Sequence, residues 1–200
     1  MTIAAVAGGL VLFWALSVFI LFKTLYVVPA HNELVVISGK SHNYGDKVRG
    51  YRYISNGQKS FRMPFTETVS VMSLKAIPFS TTVKNAYMKG GKPSTMDLSG
   101  TFTISKDPQN IHNAIERFLG QSESQIKTVF TETMEGVSRG VLATMTPDEL
   151  LADNLYFTQS VLNESERNFS KLGLTVENLT VTNIQVTKER NKVNTDEAPF

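Results

Sequence analysis

The 200-residue chain contains no cysteine and only one tryptophan. Without cysteine it has no disulfide framework, no thiol nucleophile, no thiolate metal site and no residue for palmitoylation. Charge is missing from one long stretch as well, because the 21 residues 2–22 include no Asp, Glu, Lys or Arg. These absences exclude several kinds of enzyme and set the start of the chain apart from the rest.

The uncharged stretch, TIAAVAGGLVLFWALSVFILF, is predicted to form a membrane helix. Its length as a helix is about 31 Å, close to the roughly 30 Å of a bilayer core. Gly8-Gly9 and a tryptophan in the middle of the run leave open both a single span and a re-entrant or shallower insertion. The side chains expected to form the anchor are Ile3, Leu10, Leu12, Phe13, Trp14, Leu16, Phe19, Ile20 and Phe22.

Two other interpretations of the stretch are less favoured. A cleaved signal peptide carries a positive start and a shorter apolar core, and here only Val28-Pro29-Ala30 resembles a cleavage site. A buried helix of a soluble protein rarely excludes charge for so long. Since Lys23 and Lys40 follow the run and no cation precedes it, the positive-inside rule predicts that the main domain is cytoplasmic.

Charge is distributed unevenly along the rest of the chain. From Lys40 to Lys92 ten basic residues stand against two acidic ones, whereas from Pro93 to Phe200 nine basic residues stand against fifteen acidic ones. The net values are +8 and −6. We expect the basic part to contact anionic lipid headgroups or the acidic part of a neighbouring copy, through Arg49, Arg52, Lys59 and Arg62. A solvated sheet face is an equally good explanation.

Hydrophobic periodicity predicts strands first and helices later. A period of two recurs in short runs separated by Gly and Asn turns, at 33–37, 60–63, 66–74, 79–83 and 96–104. Capping signals then predict helices after Asp107-Pro108, Ser122 and Thr146-Pro147, with Gly173 as the last stop. Alternation returns over Leu174 to Val186. This order predicts an α+β fold: a small antiparallel sheet, then helices, then a returning strand.

Motifs for catalysis or cofactor binding are not found. His31, His42 and His112 are isolated from carboxylates at metal-ligand spacing, so we expect no metal site. Gly90-Gly91-Lys92-Pro93 does not match a phosphate-binding loop, and there is no nucleophile elbow. Aromatic residues among the cations would also suit a nucleic-acid binder, but the membrane helix favours lipid as the polyanion. We therefore expect no enzyme, no cofactor and no nucleic-acid partner.

Several motifs, taken in order, resemble the flotillins of the SPFH (stomatin, prohibitin, flotillin; band 7) superfamily. The resemblance covers about Val27 to Lys192. It is carried by Phe61-Arg-Met-Pro-Phe65, Arg117-Phe-Leu-Gly120, Glu132-Thr-Met-Glu-Gly136, Met145-Thr-Pro-Asp-Glu-Leu150 and Leu179-Thr-Val-Thr-Asn-Ile184. It implies an anchor over 1–28, an SPFH domain over 29–190 and a tail over 191–200.

The resemblance also implies a function. Its members lie against a membrane, self-associate and organise lipids and other membrane proteins. The expectation is thus a membrane-anchored scaffold whose partners are membrane lipids, further copies of itself and membrane proteins such as a protease or transporter. An accessory subunit that regulates such a protease or transporter is the alternative. The long coiled coil that follows this domain in flotillins has no counterpart here, which predicts a truncated or divergent member or assembly through the domain itself.

Overall fold

A computed structural model of the chain describes residues 2–45, 47–55, 57–63 and 66–186. Within its first helix, the side chains of residues 2–7, 10–12, 21, 22 and 24 are not among those described. The chain divides into two compact units, Met1–Lys75 and Ala76–Phe200. The predicted tail over 191–200 lies outside the described residues.

The first unit consists of a helix and short antiparallel strands. Helix α1 leads into strand β1, and the strands form a two-stranded sheet of β1 and β4 and a three-stranded sheet in the order β3-β2-β5. Its small core contains Val35, Ile37 and Ile54, with Val27 and Val69 packed against them. The elements are α1 (Thr2–Leu25), β1 (Tyr26–Val27), β2 (Glu33–Tyr44), β3 (Lys47–Ile54), β4 (Ser60–Phe61) and β5 (Thr68–Ser73).

The second unit is an antiparallel sheet with helices packed on it. The strand order is β6-β7-β8, and helices α3 and α5 contact β6 and β8 respectively. Phe130 of α3 stacks on Phe102 of β7 at 3.8 Å and on Phe169 of α5 at 4.5 Å between ring centroids. The elements are β6 (Ile77–Tyr87), β7 (Pro93–Ile104), α2 (Ile111–Phe118), α3 (Glu123–Leu142), α4 (Pro147–Ala152), α5 (Asn154–Leu172) and β8 (Leu174–Val186).

Three of the four predicted helix boundaries are found at the predicted residues, Ser122, Thr146 and Gly173. The prediction of a helix start at Asp107-Pro108 is wrong, because the carbonyl of Asp107 accepts the N–H groups of Asn110 and Ile111 in a turn and α2 begins only at Ile111. Ser122 and Thr146 each form a complete capping box, and Pro147 is the first residue of α4. Helix α5 ends at Gly173, whose φ of 78° is left-handed. A Cβ at this position would clash with the backbone nitrogen of Ala114, so glycine is required there both by its φ and by the close approach of α2.

The sheets differ from the sequence prediction in two respects. The described strands form three separate sheets, and the last strand pairs with β7 alone. Strand β3 was not among the predicted runs, because Arg49, Tyr51 and Tyr53 on one of its faces give no apolar alternation. His112, on α2, is buried at 7% exposure.

In the part of the chain that the structure describes, no helix is both long and apolar enough to cross a bilayer, so the predicted transmembrane span is not confirmed.

Candidate membrane-contact site

Helix α1 presents large apolar side chains to solvent. Among the nine predicted anchor residues, five have described side chains, and all five are between 58% and 73% exposed: Phe13, Trp14, Leu16, Phe19 and Ile20. At 100° per residue these five are spread around most of the helix circumference and do not form one stripe. Such a surface is unfavourable in water and suits an apolar surrounding. The side chains of Ile3, Leu10, Leu12 and Phe22 lie outside the description.

The last turn of α1 is tied to the body of the first unit. The backbone N–H of Arg62 donates to the carbonyl of Leu25 at 2.9 Å. Two residues further on, Val27 packs into the core beside Val35 and Ile37. Lys23 places its ammonium 5.6 Å from the centroid of the Phe19 ring. Because a core residue follows α1 almost at once, the direction in which the chain leaves the helix is fixed.

Exposed aromatic and apolar residues lie on β1 and β4 and directly after them. Tyr26 and Phe61 face each other across β1 and β4, with ring centroids 6.1 Å apart and planes at 88°. Val28 and Met63 continue the surface, and all four side chains are between 46% and 57% exposed. We call Tyr26, Val28, Phe61 and Met63 the collar. Amphipathic and apolar side chains of this kind suit the interface between hydrocarbon and water.

Arg52, predicted to contact headgroups, is engaged within the protein. One of its terminal nitrogens, Nη2, donates to the carbonyl of Phe61 at 2.6 Å and lies 3.1 Å from Oε2 of Glu67. The same Oε2 accepts the backbone N–H of Met63 at 2.9 Å. The Glu67 side chain is only 4% exposed. Arg52 therefore holds the connection between β4 and β5 in place.

The other three predicted cations lie on β3 and beside β4. Arg49 and Arg52 are three residues apart on β3, so they point to opposite faces of the sheet. Arg49 donates to the hydroxyl of Tyr51 at 2.8 Å. Lys59 and Arg62 flank β4, and so are the members of the predicted set closest in sequence to the collar. Contact of these four cations with headgroups or with a neighbouring copy stays a prediction.

Sequence reasoning missed Glu67, Tyr26 and the collar as a whole. The sequence signal for the collar is the Phe61-Arg-Met motif, which also carries part of the family resemblance. Its aromatic residue turned out to pair with Tyr26, thirty-five positions earlier in the chain. Such a pairing becomes visible only when the register between β1 and β4 is known.

Two carboxyl groups of the second unit have shifted ionisation. The Thr82 hydroxyl and then the Asn183 amide donate to Asp97 and lower its pKa. The pKa of Glu149 is lowered because its carboxylate accepts hydrogen bonds from Thr146 in the capping box. In both cases the hydrogen bonds stabilise the ionised form of the carboxylate. Within the described ranges, no three His, Asp or Glu side chains are grouped as metal ligands.

The fold and the site together define a class of protein: an α+β protein in which an exposed apolar helix leads directly into a strand-built collar. Residues 26–194 match the model of the SPFH domain / Band 7 family. The chain belongs to this family, and its resemblance to flotillins is confirmed.

Three curated relatives illustrate the similarity. The chain is 25% identical over 172 residues to the flotillin-like protein FloT of Bacillus subtilis (strain 168), covering 84% of the chain and 34% of that protein. It is 27% identical over 154 residues to flotillin-1 of Drosophila melanogaster, covering 76% and 34% respectively. It is 26% identical over 148 residues to flotillin-1 of Homo sapiens, covering 72% and 33% respectively. The chain thus spans about a third of the length of these relatives.

Proposed function

We propose that this chain is a membrane-associated scaffold that inserts α1 into a bilayer and rests its collar at the headgroup level. The observation that carries the proposal is the exposure of large apolar side chains both on α1 and in the collar. Phe13, Trp14 and Phe19 are at least 60% exposed, and Tyr26 and Phe61 of the collar are 57% and 46% exposed. Burying large side chains of this kind contributes about 1.5–3 kcal/mol each.

Basic residues support the same orientation. Lys23 ends α1, and Lys59 and Arg62 flank β4. Cations at the headgroup level of an anionic leaflet contribute about 1 kcal/mol each. Since Lys23 and Lys40 follow α1, the positive-inside rule supports a main domain on the cytoplasmic side.

Scaffolding is the second part of the proposal. Membership of the SPFH domain / Band 7 family and similarity to flotillins support it, as does the lack of a recognisable catalytic motif in the sequence. We propose that copies of the chain associate with one another at the membrane and hold lipids and client proteins together. No reaction is assigned to it.

The single tryptophan gives a direct test of insertion, because Trp14 lies within α1. The full chain is diluted from detergent into neutral phosphatidylcholine vesicles and the emission of Trp14 is recorded. We expect a blue shift and quenching by lipids that carry bromine on the acyl chains. Quenching strongest near the bilayer centre indicates a span, and quenching strongest about 10–15 Å from the centre indicates shallow insertion. Emission that does not change with vesicles contradicts the proposal.

A matched pair of variants separates insertion from non-specific adsorption. Replacing Leu16 and Ile20 by serine removes two exposed apolar side chains of α1 and leaves the fluorophore in place. We expect this variant to float with vesicles much less than the unmodified chain. The same change at the exposed Val48 and Val71, on strands β3 and β5, serves as the control and is expected to leave flotation unchanged.

A further inference from the structure

The second unit exposes an apolar surface where α4 meets α5. Leu151, Leu155 and Tyr156 are 63%, 75% and 59% exposed and fall within six consecutive residues. The segment is well ordered by capping bonds: Asp153 accepts the backbone N–H of Tyr156 at 3.0 Å, and Glu149 accepts that of Thr146 at 2.8 Å. The exposure therefore belongs to a fixed surface and not to a frayed helix end.

This surface is acidic as well as apolar. Asp148, Glu149 and Asp153 are all exposed within the same segment. No Lys or Arg occurs in the sequence between Arg139 and Arg167, and the cation beside this segment is Lys89, whose backbone N–H donates to the carbonyl of Met145 at 2.9 Å and whose charge acts on Glu149. The three carboxylates outnumber it. We call Asp148, Leu151, Asp153, Leu155 and Tyr156 the acidic patch. Because anionic headgroups repel such a surface, a bilayer does not suit it. Because the surface is both acidic and apolar, a complementary partner is basic and also exposes apolar or aromatic side chains.

The hairpin of β2 and β3 in the first unit has that chemistry. Lys40 and Lys47 are exposed on it, and Arg49 follows on the second strand. The rings of Tyr44 and Tyr53 are stacked, with centroids 6.1 Å apart and planes at 7°. Tyrosine and arginine are the residues that most often carry binding energy in protein interfaces. We call Lys40, Tyr44, Lys47 and Arg49 the basic hairpin.

We propose that the acidic patch of one copy docks the basic hairpin of a second copy. The inference rests on the proposed self-association and names the surfaces through which it occurs. Since the two surfaces differ, the contact is heterologous and repeats from copy to copy, which produces a closed ring or an open chain. Lys59 and Arg62, which we assign to the membrane, are not used in this contact.

The test is the molar mass of the full chain in detergent, measured by light scattering at low and at high salt. The unmodified chain is expected to associate at about 50 mM salt and to dissociate towards the monomer at about 500 mM, because screening weakens exposed charge pairs. Asp148→Lys is expected to weaken association at least about tenfold. Glu132→Lys, the same type of change on an exposed position of α3, is the control and should associate as the unmodified chain does.

Two further variants make the test specific to the partner. Leu155→Ser should weaken association, whereas Tyr87→Ser, at a position of similar exposure on β6, should not. Adding Lys47→Asp to Asp148→Lys restores opposite charges across the contact, so the molar mass of the assembly should return to that of the unmodified chain. Failure of this rescue, or an unchanged mass for Asp148→Lys and Leu155→Ser, overturns the proposal.

The unmodified chain separates this inference from the proposed function. If it is monomeric at both salt concentrations while Trp14 still reports insertion, the docking proposal fails and membrane association stands. If Trp14 shows no insertion but the salt-dependent mass and the rescue are observed, the docking proposal stands and the membrane proposal fails. Far-UV circular dichroism of each variant confirms that loss of association is not loss of folding.

Discussion

The guanidinium of Arg52 and the carboxylate of Glu67 lie 3.1 Å apart, although the two residues are separated by fifteen positions in the sequence. Glu67 also accepts the backbone N–H of Met63, and Arg52 donates to the carbonyl of Phe61. The pair thus fixes both collar residues that follow β3. Arg52, which the sequence predicts to contact lipid headgroups, instead supports the backbone of two collar residues through Glu67 and its own hydrogen bond.

Loss of this pair is expected to be costly. Arg52→Ala leaves the Glu67 side chain, only 4% exposed, without its charged partner. We expect a loss of about 2 kcal/mol in the free energy of unfolding, below the full value for a buried pair because the Arg52 side chain is 24% exposed. Urea unfolding followed by circular dichroism measures it. Arg167→Ala breaks the exposed pair with Glu164 and should cost no more than about 0.5 kcal/mol. If the two variants lose the same free energy of unfolding, the structural role given to Arg52 is wrong.

Two glycines distinguish steric exclusion from backbone strain. Gly120 and Gly173 have left-handed φ values of 82° and 78°. Nothing lies within 4 Å of a Cβ added at Gly120, whereas one added at Gly173 meets the backbone of Ala114. Gly120→Ala should therefore cost about 1–2 kcal/mol from φ alone. Gly173→Ala should cost clearly more, because α2 must also move. A thermal unfolding comparison in which Gly173→Ala is the milder change would show the packing argument to be wrong.

Lys59 and Arg62 are predicted to give the chain a preference for anionic lipid. Reversing both charges to glutamate should lower the flotation of the full chain with vesicles containing phosphatidylserine by at least about fivefold, since each cation near the surface contributes about 1 kcal/mol. Flotation with neutral vesicles should hardly change. Lys75→Glu, at an exposed position after β5, is the control and should leave the preference intact. The prediction fails if the double variant keeps the preference.

The hydrogen bonds of Asp97 predict a pH dependence. Thr82 and Asn183 favour its ionised form, so its pKa in the folded chain is below the ordinary value of 3.8. A lowered pKa means that its contribution to stability is present above about pH 4 and is lost as the pH falls through the folded pKa. Asp97→Asn should destabilise the second unit at neutral pH, and the difference should shrink in acid below the ordinary value. A difference in stability that is the same at pH 7 and pH 3 contradicts this.

The helices of the second unit were predictable because their signals are local. A cap at Ser122 or Thr146 acts on a backbone N–H three residues later, and Gly173 ends α5 by its own φ. All of these contacts lie within one turn of helix. Helix α1 could be predicted for the same reason, because the apolar composition of a segment does not depend on the rest of the chain.

Strand partners and the grouping of charges could not be predicted in this way. Asn183 donates to Asp97 across 86 positions, and Tyr26 meets Phe61 only through the register of β1 with β4. Arg49 and Arg52 are close in sequence, and both are predicted to contact lipid headgroups or a neighbouring copy. Their separation depends on a strand, β3, whose pattern of cations and tyrosines does not show which face is buried.

The sequence by itself determined an apolar first helix, the capping residues of later helices, the α+β order and the resemblance to flotillins. Only the tertiary structure decided that the strands form separate sheets, that Arg52 pairs with Glu67 and that β4 pairs with β1 beside the end of α1. The physical reason is the distance along the chain over which each interaction acts. Helix caps and hydropathy act within a few residues, whereas sheet register and ion pairs depend on which distant segments bury their apolar faces together.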